Sequence, residues 1–504
     1  MVKSARSADL LAGTEPAEPF RFPAPRRAPP LTARRFAALL AGKAAATATR
    51  LTGRGGGTSL PGMVARRIDP GILGALIGER GIPVIAITGS NGKTTTARFT
   101  AALLRGAGLP VSHNSAGSNL VQGVTSIAVA AADLRGRLPQ SVLVSEVDEG
   151  ALPAVAAEIR PTVLLVTNLF RDQLDRYGEI YAVADLFETV AGGLAADSTL
   201  CVNATMGSSA FTHSVHADDP IVAGLAADRA GRRISFGLAL ERSTDEITRA
   251  ADTIRCPRCR ANLTYDHVYL SHMGAWRCPA CGLDRPPLDV AVTELEVHGL
   301  GETRCTLRVA GGALELSIPQ SGVHIAYDAA GAVATCLALG VPLDQAAASL
   351  ATVDPAFGRL ERIQAGERSI VLGFAKNPTS FNTTLRALAT EGLPRQLLVA
   401  ASNTLVDGED FAWLWDVDFE GAAAGVGQVT VSGLRADELA NRLKYAGIDP
   451  GQITIVEDRR RALDIALAGT EPGGTLTILA GYTPTIELRE SMRRRGWVGR
   501  YWKA

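Results

Sequence analysis

The sequence predicts an α/β protein with a central nucleotide-binding domain, a metal ribbon inserted into it, and a second Rossmann-like α/β domain. Three observations carry this. The β-branched run Val84-Ile-Ala-Ile-Thr88 feeds into Gly89-Ser-Asn-Gly92-Lys93-Thr94-Thr95 and then a helix-compatible segment. That is the order of strand, phosphate loop and helix N-terminus. Two Cys-x-x-Cys pairs, Cys256/Cys259 and Cys278/Cys281, stand 18 residues apart. Short apolar runs at 369–373, 397–401, 428–431, 453–456 and 475–479 are separated by helix-length segments, the pattern of a doubly wound sheet.

With 504 residues, core size sets no limit on folding. Residues 1–35 are rich in Ala, Pro and Arg without a sustained apolar period, and are expected to be disordered. Their arginines (Arg21, Arg26, Arg27, Arg34, Arg35) read as a solvated tail rather than a lipid contact. A short helix is expected over 36–50. A glycine-rich connection through Gly55-Gly-Gly57 and Leu60-Pro-Gly62 precedes another helix near 68–79. Strands are expected at 141–145 and 162–166, with helices at 97–106, 122–132, 151–158 and 180–193. Alternating runs at 291–297, 305–310 and 313–318 read as antiparallel strands closing the central domain, and helices follow at 325–339 and 343–350. The expected domains are therefore 36–320, with the ribbon at about 250–288, and 321–504.

The phosphate loop has a physical rationale. Gly89 and Gly92 let backbone N–H groups approach phosphate oxygens, Lys93 adds a full positive charge, and Thr94 can ligate magnesium. Asn91 and Thr95 belong to the same cradle. The glycine that opens the commonest phosphate loop is replaced by Ile87, so the loop is of a less common subtype. Lysine occurs at only six positions, which sets Lys93 and Lys376 apart from ordinary surface charges.

Basic and acidic residues balance, 51 against 51, which argues against a dedicated nucleic-acid binder. The four paired cysteines Cys256, Cys259, Cys278 and Cys281 are expected to form a closed tetrahedral zinc set, structural rather than catalytic, with disulfides or a redox pair as the competing readings. Cys201, Cys305 and Cys336 read as buried thiols. Arg255, Arg258, Arg260, Tyr265 and Trp276 keep nucleic acid open as a ribbon partner, but an insertion into a nucleotide domain favours a structural or docking role. No apolar run reaches membrane-spanning length and no signal-peptide core precedes the chain, so a cytoplasmic location is expected.

The loop Thr88-Gly-Ser-Asn-Gly-Lys-Thr-Thr95 resembles that of the Mur ligase superfamily, which includes folylpolyglutamate synthetases. The block Asn168-Leu-Phe-Arg-Asp172-Gln173-Leu-Asp175-Arg-Tyr-Gly178 resembles a second family motif. By the resemblance, Glu146 takes the place of the magnesium-binding glutamate and Asn168 belongs to the cofactor site. Further segments resemble one branch, the synthetase subunits of lipid II isoglutaminyl synthases: Gly53–Gly57, Glu146-Val-Asp-Glu149, Arg171–Asp175, Ala375-Lys-Asn-Pro378, Asp407–Asp416 and Arg442–Gly447. Three features separate the chain from amino-acid-adding members. No lysine lies between Lys93 and Lys376, so the carbamylated-lysine metal site cannot be built. Only 83 residues precede Val84, too few for a UDP-binding domain once the tail is set aside. Gln173 replaces the family's metal-binding histidine.

The resemblance implies ATP, Mg2+ and a structural Zn2+. It implies phosphorylation of the α-carboxyl of D-glutamate in the lipid II stem peptide, and displacement of phosphate by ammonia to give D-isoglutamine at the inner face of the membrane. No cysteine sits in a glutaminase elbow, so ammonia is expected from a GatD-type glutaminase partner. The acid-rich stretch 407–418 follows a strand and should face the cleft, where a carboxylate could orient ammonium or take its proton. Asp416 is the first candidate, Asp410 the second and Asp407 the third. Trp413 and Trp415 alternate with Leu414, which puts one in the core and one near the surface. On the adenine side the chain departs from the family at Ile325 and Asp328. The family's Asn-Ala-Asp-Asp-Pro block is split into Asn203-Ala204 and Asp218-Asp219-Pro220 by an apparent insertion, 205–217. Two other readings remain at this stage. One is an amino-acid-adding ligase of the same fold. The other is a zinc-ribbon ATPase acting on nucleic acid, which predicts stimulated, strongly salt-dependent ATP hydrolysis.

Overall fold

The structure is a computed structural model. It describes residues 30–499 apart from 53–58, 115–117, 139–141, 173–178, 194–198, 202–211, 225–231, 248–251 and the positions 253, 344–345, 356–357, 359, 391, 393, 405–406 and 424. Most of the expected tail, the glycine run 53–57, Asn203-Ala204, Gln173 and Asp175 lie outside the described residues.

Three N-terminal helices, α1 (Ala33–Thr52), α2 (Leu60–Ile68) and α3 (Ile72–Leu76), lead to β1 (Val84–Thr88) and α4 (Lys93–Gly106). Then come β2 (Val111–His113), α5 (Val121–Ala131), β3 (Val142–Glu146), α6 (Leu152–Ile159), β4 (Val163–Val166), α7 (Ile180–Gly193), β5 (Thr199–Cys201) and β6 (Thr212–His216). The short α8 (Pro220–Gly224) and β7 (Arg232–Leu238) complete the doubly wound part. The hairpin β8 (Thr264–Leu270) and β9 (Met273–Arg277) follows, then β10 (Val290–His298), β11 (Glu302–Val309), β12 (Gly312–Ile318) and α9 (Val323–Ala338).

The hairpin β8-β9 is a separate antiparallel pair, and the other strands build one sheet in the order β12-β11-β10-β7-β6-β4-β1-β3-β2, with β5 beside β4. From β2 to β10 along this order neighbours pair in parallel, while β11 and β12 close the edge antiparallel. The pleat sends alternate residues of β1 to opposite faces. Ile85 and Ile87 join the α4 and α9 side with Phe99, Leu103 and Val333, while Val84 and Ala86 join the α1, α5 and α6 side with Leu39, Val129 and Val155.

The second sheet runs β13-β14-β18-β15-β16-β17. Its elements are β13 (Glu361–Ala365), β14 (Arg368–Phe374), α10 (Pro378–Thr390), β15 (Gln396–Ala400), α11 (Glu420–Ala423), β16 (Gln428–Ser432), α12 (Ala436–Tyr445), β17 (Ile453–Ile455), α13 (Arg459–Ala468), β18 (Thr475–Ala480) and α14 (Tyr482–Arg494). Only β13 is antiparallel. Every strand expected in this half is present.

Several expectations need correction. Helix α1 begins at Ala33, so Arg34 and Arg35 belong to folded structure. Arg35 forks onto Glu79 at 2.9 and 2.7 Å, and Arg34 donates to the Ile68 carbonyl at 2.7 Å. Leu60-Pro-Gly62 opens a helix rather than a connection. Pro61 occupies its first turn, and Gly62 is there for close approach: a Cβ would sit 1.9 Å from the Gln122 carbonyl oxygen of α5. The helix expected over 68–79 breaks at Asp69–Gly71 into α2, α3 and a 3-10 turn. The helix at 343–350 is a 3-10 turn over Ala347–Thr352. The apparent insertion 205–217 contains β6, which lies inside the sheet between β4 and β7. The expected domain division at 320/321 precedes α9, yet α9 is buried against β7, β10 and α4. We therefore propose a division just before β13.

Candidate nucleotide and ligase site

Parallel strands of both sheets end at one cleft. Thr88, Glu146 and Val166 end β1, β3 and β4; Phe374, Ala400 and Ala480 end β14, β15 and β18. Side chains that follow these ends meet across it, as expected for loops at the carboxyl edge of a parallel sheet.

The phosphate loop is built by close approach. Gly89 and Gly92 have φ of 122° and 83°. A Cβ on Gly92 would lie 2.2 Å from Asp328 Oδ1. The loop is stapled to the segment after β4. Asn168 Oδ1 accepts from Asn91 N at 2.8 Å, Asn168 Nδ2 donates to the Asn91 carbonyl at 3.1 Å, and Ser90 N donates to the Asn168 carbonyl at 2.9 Å. The Asn168 side chain thus shapes the loop as well as lining the cleft. Thr95 also lines the cleft, from the first turn of α4.

Lys93 is buried at the N-terminus of α4. Its ammonium donates to the Gly89 carbonyl and to Glu149 Oε1 at 2.9 Å. Burial works against this charge, but Glu149, Glu146 and Asp172 outweigh it, and the Lys93 pKa is raised. Glu146, also buried, has a raised pKa because desolvation outweighs the attraction of Lys93 and the Thr94 hydrogen bond. The Thr94 hydroxyl donates to Glu146 Oε2 at 2.8 Å. The two candidate magnesium ligands are therefore adjacent, and their hard oxygens suit that ion. Asn114 fixes the end of β3 by exchanging hydrogen bonds of 2.7 and 2.8 Å with the Glu146 backbone. Neither the pairing of Glu149 with Lys93 nor the clamp by Asn114 was legible in the sequence. Glu149 stood in a quoted motif without a role, and Asn114 carried no motif at all.

A cleft lies behind the loop, lined by Asn91, Gly92, Thr95, Asn168, His324 and Asp328 among others. Asp328, one of the adenine-side departures, accepts from the Thr96 hydroxyl at 3.0 Å and so supports the first turn of α4. Ile325, the other, is buried and lines the same cleft.

A second cavity is lined by Arg171, Asp172, Lys376, Asn377, Asp407, Asp410 and Asp416 among others. It straddles the two sheets. Lys376 pairs with Asp172, Asn377 Nδ2 donates to Asn91 Oδ1 at 3.1 Å, and Arg171 Nη2 lies 3.2 Å from Asp416 Oδ2. The three candidate aspartates are now distinguished. Asp407 accepts from Thr483 N at 2.9 Å and the Thr404 hydroxyl at 2.6 Å, which ties its loop to α14. Asp410 is exposed and accepts from Ala412 N at 2.9 Å. Among the described residues, Asp416 is the one of the three with an ion pair to the first domain, through Arg171 in the segment after β4. Trp413 packs on Phe381 with centroids 5.5 Å apart, while Trp415 is 43% exposed beside Tyr445, the expected split between core and surface.

The four-cysteine module is the crossover between parallel neighbours β7 and β10. All four Sγ atoms lie within 4.8 Å of one another, with Cys256–Cys281 at 3.6 Å and Cys259–Cys278 at 3.4 Å. A tetrahedron of thiolates at zinc–sulfur distance has edges of about 3.8 Å, so the donor set fits the ion. The two knuckles have matching backbones. Cys256 N donates to the Ala261 carbonyl and Cys278 N to the Leu283 carbonyl, both at 2.8 Å, while Arg260 and Gly282 turn through left-handed φ of 63° and 70°. Cys305 and Cys336 are buried thiols, as expected; burial pushes the Cys305 pKa up to about 12.

Among the described residues, no helix is long and apolar enough to cross a membrane. Residues 87–244 match the Mur ligase middle domain and residues 374–485 the MurT ligase C-terminal domain. The chain is 28% identical to the lipid II isoglutaminyl synthase (glutamine-hydrolyzing) subunit MurT of Streptococcus pneumoniae, over 91% of this chain and 96% of that one. It is 27% identical to the Staphylococcus aureus subunit of the same name, over 92% and 98%. Its fold is similar to a pseudomurein peptide ligase type C from Methanothermus fervidus, with TM-score 0.63, 20% identity, and coverage of 82% and 79%.

Proposed function

We propose that this chain, which joins a Mur ligase middle domain to a MurT ligase C-terminal domain, is the ATP-using synthetase subunit of a lipid II isoglutaminyl synthase. The observation that carries the reading is the junction of the loop, where Lys93 meets Glu149 and Thr94 meets Glu146, with the cavity that Lys376, Asn377 and Asp416 line from the second sheet, the two joined through Asn377–Asn91 and Lys376–Asp172. A nucleotide phosphate on the first group and an acceptor carboxylate near the second would meet there.

The carboxylate oxygen of D-glutamate attacks the γ-phosphorus, the bond to the β-phosphate oxygen breaks, and an acyl phosphate forms. Ammonia then attacks the acyl carbon and phosphate leaves. Thr94 and Glu146 would hold magnesium, which would neutralise charge at the phosphates. Lys93 and the loop N–H groups supply fixed positive potential where charge shifts, and Gly89, Asn91, Gly92 and Thr95 keep that loop against the phosphates. Asp416 takes the proton released as the amine becomes an amide, with Asp410 the alternative base on the same loop. The four cysteines would hold a structural zinc. Ammonia comes from a glutaminase subunit of GatD type, and the lipid-linked substrate places the work at the inner membrane surface. An amino-acid-adding ligase is disfavoured by the absence of any lysine between Lys93 and Lys376.

The test is amidation of lipid II by the purified chain. With ATP and an ammonium salt it should form the amide alone; with glutamine it should do so only when the glutaminase is added. The Lys93→Met chain is the control expected to give neither. A product enlarged by an amino acid, or glutamine turnover by this chain alone, would overturn the proposal.

A further inference from the structure

The four-cysteine module grips the nucleotide domain at three consecutive residues. Trp276 Nε1 donates to the Ala217 carbonyl at 3.0 Å, Gly274 N to the Asp218 carbonyl at 2.9 Å, and Arg285 Nη1 to Asp218 Oδ1 at 2.7 Å. His272, wholly buried, lies 3.6 Å from Asp219. Asp218 and Asp219 are 0% exposed. Arg285 follows the last cysteine of the module by four residues, so its place depends on the knuckle that precedes it.

The same two carboxylates support the nucleotide cleft from behind. Asp218 Oδ2 accepts from the Tyr327 hydroxyl at 2.8 Å. Tyr327 sits on α9 and lines the cleft, one residue before the Asp328 that meets Thr96. Asp219 Oδ2 accepts from Leu169 N at 2.8 Å, and the adjoining Asn168 holds Asn91 in the phosphate loop. One end of each link is therefore on the module, and the other is on a wall of the cleft.

The apolar cluster of the module comprises Ala223, Cys256, Leu263, Trp276 and Cys278, with partly buried neighbours such as Tyr265 and Leu283. A core of that size does not hold its shape without its metal. Loss of the metal loosens the hairpin and withdraws Arg285, leaving Asp218 a buried charge deprived of its cation, which is strongly destabilising for its surroundings. The relief available is movement of the 217–219 segment, and with it Tyr327 and Leu169.

We propose that Asp218 and Asp219 are positioning residues that couple metal loading of the four-cysteine module to nucleotide binding. The inference rests on the readings of 84–96 as a nucleotide loop and of the thiols as a zinc site. Coupling of this kind is reciprocal: zinc must raise nucleotide affinity by the factor by which nucleotide raises zinc affinity.

The experiment uses the full chain and a non-hydrolysable ATP analogue with magnesium. Calorimetric titration compares the zinc-loaded chain with chain stripped by a chelator, under conditions where circular dichroism shows the secondary structure retained. The stripped chain should bind the analogue about 5-fold or more weakly, the lower end of ordinary coupling. In the loaded chain, which needs no stripping, the analogue should hold zinc back from a chromogenic chelator by the same factor. Tyr327→Phe keeps the ring and loses the hydroxyl; it should retain zinc while its analogue affinity becomes less sensitive to metal. Equal affinity with and without zinc, or zinc release unaffected by the analogue, overturns the inference and leaves the nucleotide site standing. Undiminished coupling in Tyr327→Phe overturns the route through Asp218. Failure of every form to bind the analogue overturns the nucleotide reading itself.

Discussion

Lys93 and its surroundings show how much of the chemistry is set by burial. Glu149 holds the buried Lys93 ammonium at 2.9 Å. Because the folded Lys93 pKa is raised, its stabilisation is complete below the ordinary lysine value and is lost as pH climbs through the higher folded value. Glu149→Gln should therefore lower stability at neutral pH by about 3 kcal/mol, the cost of breaking a buried pair, and bring alkaline unfolding to lower pH. Denaturant titrations across the alkaline range measure both. Glu146 has the opposite sign. Its folded pKa is raised, so the ionised carboxylate costs stability above the ordinary glutamate value, and the penalty grows as pH rises toward the folded value. Glu146→Gln should leave the nucleotide-free chain as stable as wild type or more so, while abolishing magnesium-dependent turnover. A melt and a rate assay on the same sample separate these effects. The sequence made Lys93, Thr94 and Glu146 legible because they stand in contiguous motifs. It hid Glu149 and Asn114, whose roles exist only once β3 lies beside β1.

At the scale of elements, the phosphate loop depends on two different strands. Gly92 has no room for a side chain, because α9 brings Asp328 against it. Gly92→Ala should combine the strain of a left-handed alanine, about 1–3 kcal/mol, with displacement of Asp328. The expected result is a lower melting temperature and loss of detectable nucleotide binding by calorimetry. The four-cysteine spacing made the module legible before any fold was known, since metal ligation is a local pattern. Its attachment was not legible. The residues it grips, 217–219, lie at the end of a segment that looked like an insertion but contains β6. Its few apolar residues carried no periodicity strong enough to mark a strand. Helix α9, at whose start the domain division was expected, packs on β7, β10 and α4. The unbroken apolar run on that helix says that it is buried, but not against which sheet.

Across the whole molecule, two α/β sheets turn their carboxyl ends toward one cleft and are tied there by Lys376–Asp172, Asn377–Asn91 and Arg171–Asp416. Additional ties come from Arg386 to Asp245 and from Arg98 to the Pro355 carbonyl at 3.0 Å. The sequence marked Lys376 by its rarity, but its partner, 204 residues earlier, could be found only in three dimensions. Asp172→Asn should loosen this contact without removing a group assigned to chemistry. Limited proteolysis between the two sheets should quicken, and binding of nucleotide and substrate together should restore much of the protection. Unchanged proteolysis would show that the remaining ties suffice.

In the proposed reaction the phosphoryl group activates a stem-peptide carboxylate for ammonia. Lipid II carrying oxygen-18 in the α-carboxyl of D-glutamate, incubated with ATP, ammonium and the purified chain, tests this most directly. One labelled oxygen should reach inorganic phosphate for each amide formed, because that oxygen bridges carbon and phosphorus in the acyl phosphate. Amide formation with unlabelled phosphate, or labelled phosphate accompanied by an amino-acid adduct in place of the amide, would contradict it.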